Sequence, residues 1–458
     1  SINLANGTLK MEFSKPMDMS FVKISSIRIW DGDSVENSTG LYLDQTVLIP
    51  REDGFQYDLE LQFDLNAGTF PTDRDRLFLT ETIARSYEKT WITINEGFMS
   101  DTAVPANFLP AISVPRQVTL LKIDISPPVM TRFDLDMATR RMTVTFNEGV
   151  NRSTNVPSRY LLISNPQDET STQYALTNST TTELVYGTSG TDVVMILSTY
   201  DVDNIMLKAP GLFTEFSNTY LATTEVGAIR DLSMYANEMD QILFRFAIQV
   251  TQFTPDTILP TIVSFDINVN FGTIDIYFSE VVECTRTVPA LFKLQYAQFI
   301  GTSTEFLFLT SASTVVCPQS FVLNVRINIG SVDMTKLRAL LVLSKSEETT
   351  FLRPLSGAFV DAFDNANLEV PDGRALAVDF YTADSVSPVL KSFTVTAQLL
   401  LILTFNEPVL TSSITVSGIG FQNSVSSPTF TQLLTGFTTF VSADSTKRKL
   451  KFALNEPV

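Results

Sequence analysis

Short runs in which apolar and polar residues alternate recur along the chain, and the clearest of them end on a phenylalanine. Their apolar positions are Leu9, Met11 and Phe13; Met142, Val144 and Phe146; Ile274, Ile276 and Phe278; and Leu401, Leu403 and Phe405. Alternation with a period of two over five residues predicts a β-strand with one buried face. Similar runs at 57–63, 323–329 and 450–454 predict a further strand in three of the same segments.

Helices are predicted only as short turns. Segments 71–79, 198–206 and 330–340 each place a serine, threonine or aspartate before an apolar position, as helix starts do. No longer amphipathic pattern is present. Short alternating strands separated by turn residues therefore predict an all-β chain built from two-sheet sandwiches.

The alternating runs belong to a long internal repeat. One phrase reads FSKPM at 13–17, FNEGV at 146–150, FSEVV at 278–282 and FNEPV at 405–409, so that its phenylalanines are spaced by 133, 132 and 127 residues. A second phrase begins at Pro128, Pro260 and Pro388 and reaches a phenylalanine five residues later. An aspartate precedes each of these prolines by four residues, at Asp124, Asp256 and Asp384.

A third phrase closes each repeat with a glycine, an aspartate four residues later and an asparagine six residues after that. The polar pairs are Asp101 and Asn107, Asp231 and Asn237, and Asp361 and Asn367. Three phrases with one period predict domains at 1–127, 128–259, 260–387 and 388–458. We expect the first domain to lack its opening strand and the fourth to be partial, so that the chain is a window on a longer array.

These phrases resemble the tandem bacterial-type Ig-like repeats of S-layer and large surface proteins. They are also similar to cadherin-like repeats and to repeats of very large secreted proteins such as those of flagellar hairs (mastigonemes). The resemblance implies tandem Ig-like β-sandwich domains in an elongated array, outside the cell or at its surface. The first copy departs from the pattern, since Lys15 replaces the glutamate found at Glu148, Glu280 and Glu407.

Composition narrows the chemistry that such a chain can perform. Its 458 residues include no histidine and only two cysteines, which excludes histidine-dependent nucleophilic catalysis and zinc sites built on histidine or on four thiolates. The net charge of −18 argues against a nucleic-acid partner. No apolar stretch is long enough to predict a membrane span, and the opening SINLANGTLK lacks the pattern of a signal peptide.

The recurring glutamates are the one carboxylate set with the look of a catalytic motif. Each occurs once per repeat at the end of a predicted strand, which is typical of a turn or interface position rather than of a hydrolase pair held in a cleft. We therefore predict no catalytic residue and no enzyme.

Two readings of the repeated aspartates and asparagines stay open. One is junctional calcium, bound by Asp101, Asn107, Asp124, Asp231, Asn237, Asp256, Asp361, Asn367 and Asp384. The other is that these side chains hold tight loops through hydrogen bonds to their own backbone. Calcium is the one cofactor that these residues suggest.

Two further features bear on the compartment. Cys284 and Cys317 lie in the same repeat and predict one disulfide, with two buried thiols as the alternative. Glycosylation sequons occur at Asn6, Asn37, Asn151 and Asn178, in turn-like or polar stretches that are equally compatible with plain surface loops. Trp30 and Trp91 are predicted core residues, although a sugar-binding platform would use the same rings.

The function predicted from these features is structural. The chain would be a non-enzymatic extracellular rod of Ig-like domains in a surface coat, a fibre or a flagellar-hair filament. The alternative is a cell-surface adhesin that depends on calcium or binds glycans. Expected partners are further copies of the chain, other surface or filament proteins, and glycans.

Overall fold

The computed structural model describes residues 1–80, 82–184, 187–208, 215–303, 305–436 and 438–454. The chain divides into two compact units, Ser1–Asp256 and Thr257–Val458. Each unit contains two successive groups of strands. The last four positions of the predicted fourth domain, 455–458, lie outside the described residues.

The first sandwich consists of two sheets packed on one apolar core. Its sheets have the strand orders β5-β6-β2-β1-β9 and β4-β3-β7-β8. The strands are β1 (Ile2–Asn3), β2 (Thr8–Asp18), β3 (Ile27–Trp30), β4 (Gly40–Tyr42), β5 (Val47–Leu48), β6 (Tyr57–Asp64), β7 (Trp91–Ile94), β8 (Ile112–Gln117) and β9 (Leu121–Lys122).

The second sandwich repeats this plan. Its sheets run β14-β15-β11-β10-β19, with β17 paired to β11, and β13-β12-β16-β18. The strands are β10 (Met130–Asp136), β11 (Arg141–Asn151), β12 (Tyr160–Ile163), β13 (Gln173–Ala175), β14 (Thr181–Thr182), β15 (Ser189–Ile196), β16 (Tyr220–Thr223), β17 (Arg230–Asp231), β18 (Ile248–Gln249) and β19 (Gln252–Thr254).

The third sandwich has the same plan in the second unit. Its sheets run β24-β25-β21-β20-β28 and β23-β22-β26-β27 around one core. The strands are β20 (Ile262–Asn268), β21 (Thr273–Glu283), β22 (Phe292–Gln295), β23 (Phe306–Phe308), β24 (Thr314–Val316), β25 (Phe321–Asn328), β26 (Phe351–Pro354), β27 (Leu376–Ala377) and β28 (Phe380–Thr382).

The fourth group contains one four-stranded sheet, β29-β30-β34-β33, and the pair β31-β32. Its core is small and centres on Leu401, Leu403, Leu450 and Phe452. The strands are β29 (Leu390–Val395), β30 (Leu400–Phe405), β31 (Gly420–Gln422), β32 (Thr431–Leu433), β33 (Thr438–Ala443) and β34 (Lys449–Leu454). The chain is thus a tandem all-β array of Ig-like sandwiches, as the alternating pattern predicts.

One topological feature is common to the first three sandwiches. The opening strand pairs antiparallel with the strand that follows it and parallel with the closing strand: β1 with β2 and β9, β10 with β11 and β19, and β20 with β21 and β28. The opening strand expected to be missing from the first domain is thus present over Ile2–Asn3. The predicted domain borders fall between the four strand groups, and they stay a prediction about which segments fold alone.

The α-helices are as short as the sequence predicts. They are α1 (Asp73–Leu79), α2 (Thr199–Met206) and α3 (Ser331–Ala339), and single-turn 3-10 helices account for the other helical residues described. Thr72 and Ser198 cap α1 and α2 through their side chains. The prediction of a serine, threonine or aspartate cap is wrong for α3, whose N-cap is Gly330. A Cβ atom there would lie 2.1 Å from the backbone oxygen of Ala312, so only glycine fits.

Two observations bear on the predicted core and on the membrane. Trp30 is buried, donates to the Thr93 hydroxyl at 2.8 Å and carries the Arg28 guanidinium 3.8 Å above its ring. Trp91 is half-buried. In the described part of the chain, no helix has the length and apolar character needed to cross a bilayer.

Equivalent phenylalanines of the repeat differ in burial, and this difference gives a matched test of the core. Phe133 in β10 is fully buried, whereas Phe393 in β29 is 58% exposed. We expect Phe133→Ala to lower the free energy of unfolding of the second sandwich by about 3–5 kcal/mol, and Phe393→Ala to cost less than about 1 kcal/mol. Differential scanning calorimetry of the full chain measures both, and equal costs would contradict the assigned packing.

Candidate functional site

The glutamate of the repeated phrase lies in a β-bulge. In the second sandwich, the pairing of β11 with β15 shifts register between Thr145 and Val150. The same shift occurs between Glu12 and Met17 in the first sandwich and between Tyr277 and Val282 in the third. A bulge turns side chains out of the regular alternation. The motif glutamate is therefore not committed to the core of its own sandwich.

The residue before this glutamate fixes the start of the sandwich. The Asn147 side-chain oxygen accepts from the backbone N–H of Val129 at 2.8 Å. Ser279 accepts from Thr261 at 3.0 Å in the same way, and Asn406 accepts from Val389 at 2.6 Å. These bonds join the proline-led phrase to the phenylalanine phrase, which explains why the two phrases recur together.

Glu148 meets an arginine from the preceding sandwich. The Arg74 guanidinium, on α1, lies 3.0 Å from the Glu148 carboxylate and 2.5 Å from the carboxylate of Asp124, in the connecting segment. The Arg74 Nε donates to the carbonyl oxygen of Leu4 at 2.6 Å. Helix, connecting segment and bulge therefore meet at one guanidinium, and we call Arg74, Asp124, Glu148 and Asp231 the first joint.

Asp231, from the closing loop of the second sandwich, completes the first joint. Carboxylate oxygens of Asp124, Glu148 and Asp231 lie within 4.8 Å of one another. Asp231 accepts from the backbone N–H groups of Ser233 and Asn237, at 3.1 and 2.8 Å, and from their side chains, both at 2.8 Å. The Asn237 amide also donates to the backbone oxygen of Asp124 at 3.3 Å.

The first joint carries more negative than positive charge. Burial raises the pKa of Glu148 to about 7, with Asp124 and Asp231 acting in the same direction and Arg74 opposing them. Burial also raises the pKa of Asp231, against the lowering effect of its hydrogen bonds from Asn237 and Ser233. Three carboxylates that face one guanidinium in a buried site account for both shifts.

The residue after Glu148 lets the two sandwiches approach closely. A Cβ atom on Gly149 would lie 2.5 Å from the Asp75 carboxylate and 2.9 Å from both Phe70 and Leu232. Asp75 and Phe70 belong to the first sandwich and Gly149 to the second. The absence of a side chain at Gly149 is therefore a condition for this contact.

A second joint lies inside the Thr257–Val458 unit and has three of the four parts of the first: the helix arginine, the connecting-segment aspartate and the motif glutamate. The Arg338 guanidinium, on α3, lies 2.9 Å from the Asp384 carboxylate and 3.2 Å from that of Glu407. Burial raises the pKa of Glu407, and Arg338 opposes this shift. The second carboxylate oxygen of Glu407 is buried without a hydrogen-bond partner among the residues that the structure describes.

The two arginines come from different positions of the equivalent helix. Arg74 is the second residue of α1, whereas Arg338 is the eighth of α3. In the first sandwich the glutamate position is occupied by Lys15, which forms an ion pair with Asp101 of its own closing loop. This lysine holds the pKa of Asp101 well below its usual range.

The closing loops are held from within by their aspartates. Asp101 accepts from the Asn107 backbone and side chain, both at 2.9 Å, as Asp231 does from Asn237. The predicted equivalence of Asn367 is wrong, because Asp361 accepts instead from Asn365, four residues on. Asn367 is buried and binds the backbone around it, accepting from Phe359 and donating to Leu355.

These contacts bear on the two readings of the loop residues. Asp101, Asp231 and Asp361 hold their own loops, Asp124 and Asp384 contact arginines, and Asp256 is half-buried at the end of its unit. The hydrogen bonds of Asp101, Asp231 and Asp361 are those that the loop-holding alternative describes, whereas Asp124 and Asp384 form ion pairs. The carboxylates of Asp124, Glu148 and Asp231 are also close enough together to hold a metal ion, and calcium stays a prediction.

The covalent features can be placed as well. A disulfide joins Cys284, next to the end of β21, to Cys317, next to β24. Three of the sequon asparagines, Asn6, Asn37 and Asn178, are exposed on turns. Asn151 is half-buried at the end of β11, where its side chain accepts from the backbone of Ser153 at 3.1 Å.

Sequence reasoning missed two sets of polar residues that are buried or half-buried. The first is an aspartate in the first turn of each helix, which accepts from the hydroxyl groups of Thr46, Thr180 and Ser313 respectively: Asp73, Asp201 and Asp333. Their recurrence with the repeat was a usable signal. The second set is Arg74 and Arg338. They share no fixed place in the repeat, so no recurring signal pointed to them.

Comparisons with known proteins give only distant structural likenesses. No protein-family model matches the chain, and neither does any curated protein. Among solved structures, it is similar to native alpha-2-macroglobulin from Escherichia coli spanning domains MG0-NIE-MG1, at 11% identity and a TM-score of 0.22, over 83% of this chain and 94% of that one.

Two further likenesses are weaker still. Surface layer protein SbsC, domains 1–6, is 12% identical with a TM-score of 0.17, over 99% of this chain and 62% of that one. The N-terminal four Ig domains of Dscam1 isoform 6.44 are 7% identical with a TM-score of 0.15, over 96% and 97%. No function is transferred to the chain from likenesses of this level.

Removing the guanidinium of the first joint tests its role. We expect Arg74→Gln to lower the free energy of unfolding of the Ser1–Asp256 unit by about 3–5 kcal/mol, because it leaves buried carboxylates without their counter-charge. The control Arg51→Gln removes exposed ion pairs with Asp53 and Asp58 and should leave the free energy of unfolding nearly unchanged. Urea titration measures both, and equal effects would contradict a buried joint.

Proposed function

We propose that this chain is a non-enzymatic extracellular structural protein whose tandem Ig-like sandwiches form an elongated, angle-fixed array. The observation that carries the proposal is the first joint, in which Arg74 of one sandwich is buried against Glu148 of the next. A buried, hydrogen-bonded charge pair favours one geometry, because the charges compensate each other only while guanidinium and carboxylates stay in register. Neighbouring sandwiches are then held in one orientation.

The second joint supports the same interpretation, since it uses Arg338, Asp384 and Glu407 in equivalent roles. Recurrence of one device in both units is expected of a structural array, in which each sandwich transmits the orientation of its neighbour. A catalytic site would not need to recur at each contact between sandwiches.

An extracellular setting is supported by the disulfide between Cys284 and Cys317, because such bonds persist in oxidising compartments. The acidic excess suits a surface that stays soluble until a partner or cation neutralises it. We propose that the array assembles with further copies of itself or with other surface or filament proteins, in a coat, fibre or flagellar hair.

Small-angle X-ray scattering tests the array. A compact chain of 458 residues has a radius of gyration of about 23 Å, and we expect a value well above this with a rod-like distance distribution. A radius near the compact value would contradict the proposal.

Gly149→Val is the matched variant for the scattering experiment. It places atoms where the side chains of Asp75, Phe70 and Leu232 already lie, so these side chains or the two sandwiches of the first unit must shift. We expect a broader distance distribution with the sandwiches still folded. The control is Gly418→Val, because a side chain at Gly418 meets open space and the backbone there has an ordinary φ. Gly97→Val would not serve, because Gly97 has a positive φ that strains any other residue.

The four sequons allow an independent test of which asparagines can be glycosylated in a secretory pathway. After expression through a eukaryotic secretory pathway, we expect glycans on Asn6, Asn37 and Asn178, whose side chains are exposed on turns. Asn151 should stay unmodified, because it is half-buried in a paired strand and already accepts a hydrogen bond. Peptide mass spectrometry reads all four, and a glycan on Asn151 with the turns unmodified would contradict this placement.

A further inference from the structure

The fourth group of strands differs from the first three sandwiches in the sign of its charge. Residues 388–458 contain five basic and three acidic residues, whereas residues 1–387 contain 27 basic and 47 acidic residues. A chain with a net charge of −18 thus carries one positively charged segment. Opposite charges on two regions of one chain favour association between copies, because complementary surfaces attract each other.

Two of the basic residues lie on the outward face of the fourth sheet. Leu450 and Phe452 of β34 are buried in the core, and Lys449 and Lys451, which alternate with them, are exposed. Residues two apart on a strand point to the same side and lie about 7 Å from each other. The two ammonium groups are therefore presented to solvent together.

The two lysines have no carboxylate beside them on the neighbouring strand. Across the pairing of β34 with β30, Lys449 lies opposite Thr404 and Lys451 lies opposite Ile402. The ion pair described for this group is that of Glu407 with Arg338, and neither lysine forms one within the described residues. The positive charge of this face is thus left without a partner on its own sheet.

The lysines border a groove of about 450 Å³ on the outward face of the sheet. Its one carboxylate, Asp444, already accepts from the Thr446 hydroxyl at 2.6 Å and from the backbone N–H groups of Arg448 and Lys449 at 2.9 and 3.0 Å. We call this groove with its two lysines the lysine face. It is lined by Thr394, Ile402, Thr404, Ser442, Lys449 and Lys451.

The first three sandwiches neutralise cations at the equivalent place. An outward basic residue of each one forms an ion pair with a carboxylate of the same sandwich: Lys10 with Glu60 at 2.6 Å, Arg141 with Glu183 at 2.6 Å, and Arg326 with Asp275 at 2.7 Å. The lysine face departs from this arrangement, so its counter-charge has to come from another molecule.

An acidic surface that fits this need lies on the first sandwich, in the loop between β3 and β4. Residues 31–36 carry Asp31, Asp33 and Glu36, residues 31–50 contain no lysine or arginine, and none of the three acids forms an ion pair in the part of the chain that the structure describes. The corresponding loop holds two carboxylates in the second sandwich, of which Glu169 is paired with Arg245, and one in the third. We call residues 31–36 the acidic loop.

We propose that the chain associates with itself head to tail, with the acidic loop of one copy seated on the lysine face of another. Because loop and face are different surfaces, each added copy leaves one of each free, and association can continue in one direction. The inference deepens the proposed array by naming the contact through which copies join, and it rests on that proposal for its biological meaning.

Sedimentation velocity of the full chain over a concentration series tests the association. At about 0.1 M salt the Debye length is about 10 Å, so repulsion between distant acidic surfaces is screened while adjacent opposite charges still attract. At about 1 M salt the Debye length falls to about 3 Å. We expect association at the lower salt concentration that is largely lost at the higher one.

Charge reversal identifies the two surfaces. Lys449→Glu combined with Lys451→Glu should raise the Kd of self-association at least about tenfold, because like charges then face each other. Asp33→Lys combined with Glu36→Lys, at exposed positions of the acidic loop, should do the same. Mixed in equal amounts, the two double variants should associate again, because the reversed loop of one meets the reversed face of the other.

The matched control combines Lys23→Glu with Lys89→Glu. Both lysines are exposed on the first sandwich, and the control changes the net charge by the same amount as reversal of the lysine face. Its Kd should stay close to that of the unmodified chain. Thermal unfolding of every variant, expected to be unchanged for exposed side chains, separates loss of association from loss of folding.

Four outcomes would overturn the inference: association that persists after reversal of the lysine face, an equal loss in the control, no association in the mixture, or a monomer that binds heparin through the same lysines. The last result would identify an acidic polysaccharide as the occupant. An elongated monomer in scattering that does not associate would contradict this contact alone and leave the array standing. A compact monomer that associates through the lysine face would contradict the array alone.

Discussion

A carboxylate that leaves water must meet a donor or a cation, and this constraint shapes the chain at every level. Inside each of the first three sandwiches, an aspartate at the helix start gathers hydroxyl and backbone donors. In the closing loops, Asp101, Asp231 and Asp361 each gather N–H groups from the loop that contains them. Between sandwiches, where no single loop supplies enough donors, the counter-charge comes from the neighbour as Arg74 or Arg338.

The apolar core fixes a different set of properties. Alternating residues of strands such as β11 and β21 bury one face, and each of the first three sandwiches has the two sheets needed to cover it. The bulge in these strands releases the motif glutamate from the alternation. A regular strand would point successive side chains to opposite faces of the sheet, with no freedom to reach a neighbouring domain. A single strand thus contributes its alternating residues to the core and its bulge to the joint.

Much of the fold is visible in the sequence, because it depends on local patterns that recur. Period-two alternation predicts the strands, the helix starts predict α1 and α2, and the three phrases predict the repeat. The rule that a serine, threonine or aspartate begins each helix fails at Gly330. A glycine is needed there because the backbone of Ala312, which is distant in the sequence, approaches closely. Asn367 escapes the loop rule, because a second asparagine at Asn365 is closer to Asp361 and takes the place that spacing assigned to Asn367.

Only the carboxylates of the two joints could be predicted from the sequence, and the arginines could not. Asp124 and Glu148 stand at fixed places in the repeat, so their importance was readable, although not their partner. Arg74 and Arg338 were not readable, because a helix can present a guanidinium to the same point from its first turn or its last. Only the folded arrangement shows which turn faces the next sandwich.

This difference in arginine position has a consequence for the order of the domains. In each case the arginine stands at the helix position that faces the connecting segment and the motif glutamate following that helix. Exchanging α1 for α3 would move the positive charge by six residues, nearly two helical turns, away from the carboxylates it serves. The sandwiches share one fold, yet they are not interchangeable, because each contact between neighbours depends on which sandwich follows which along the chain.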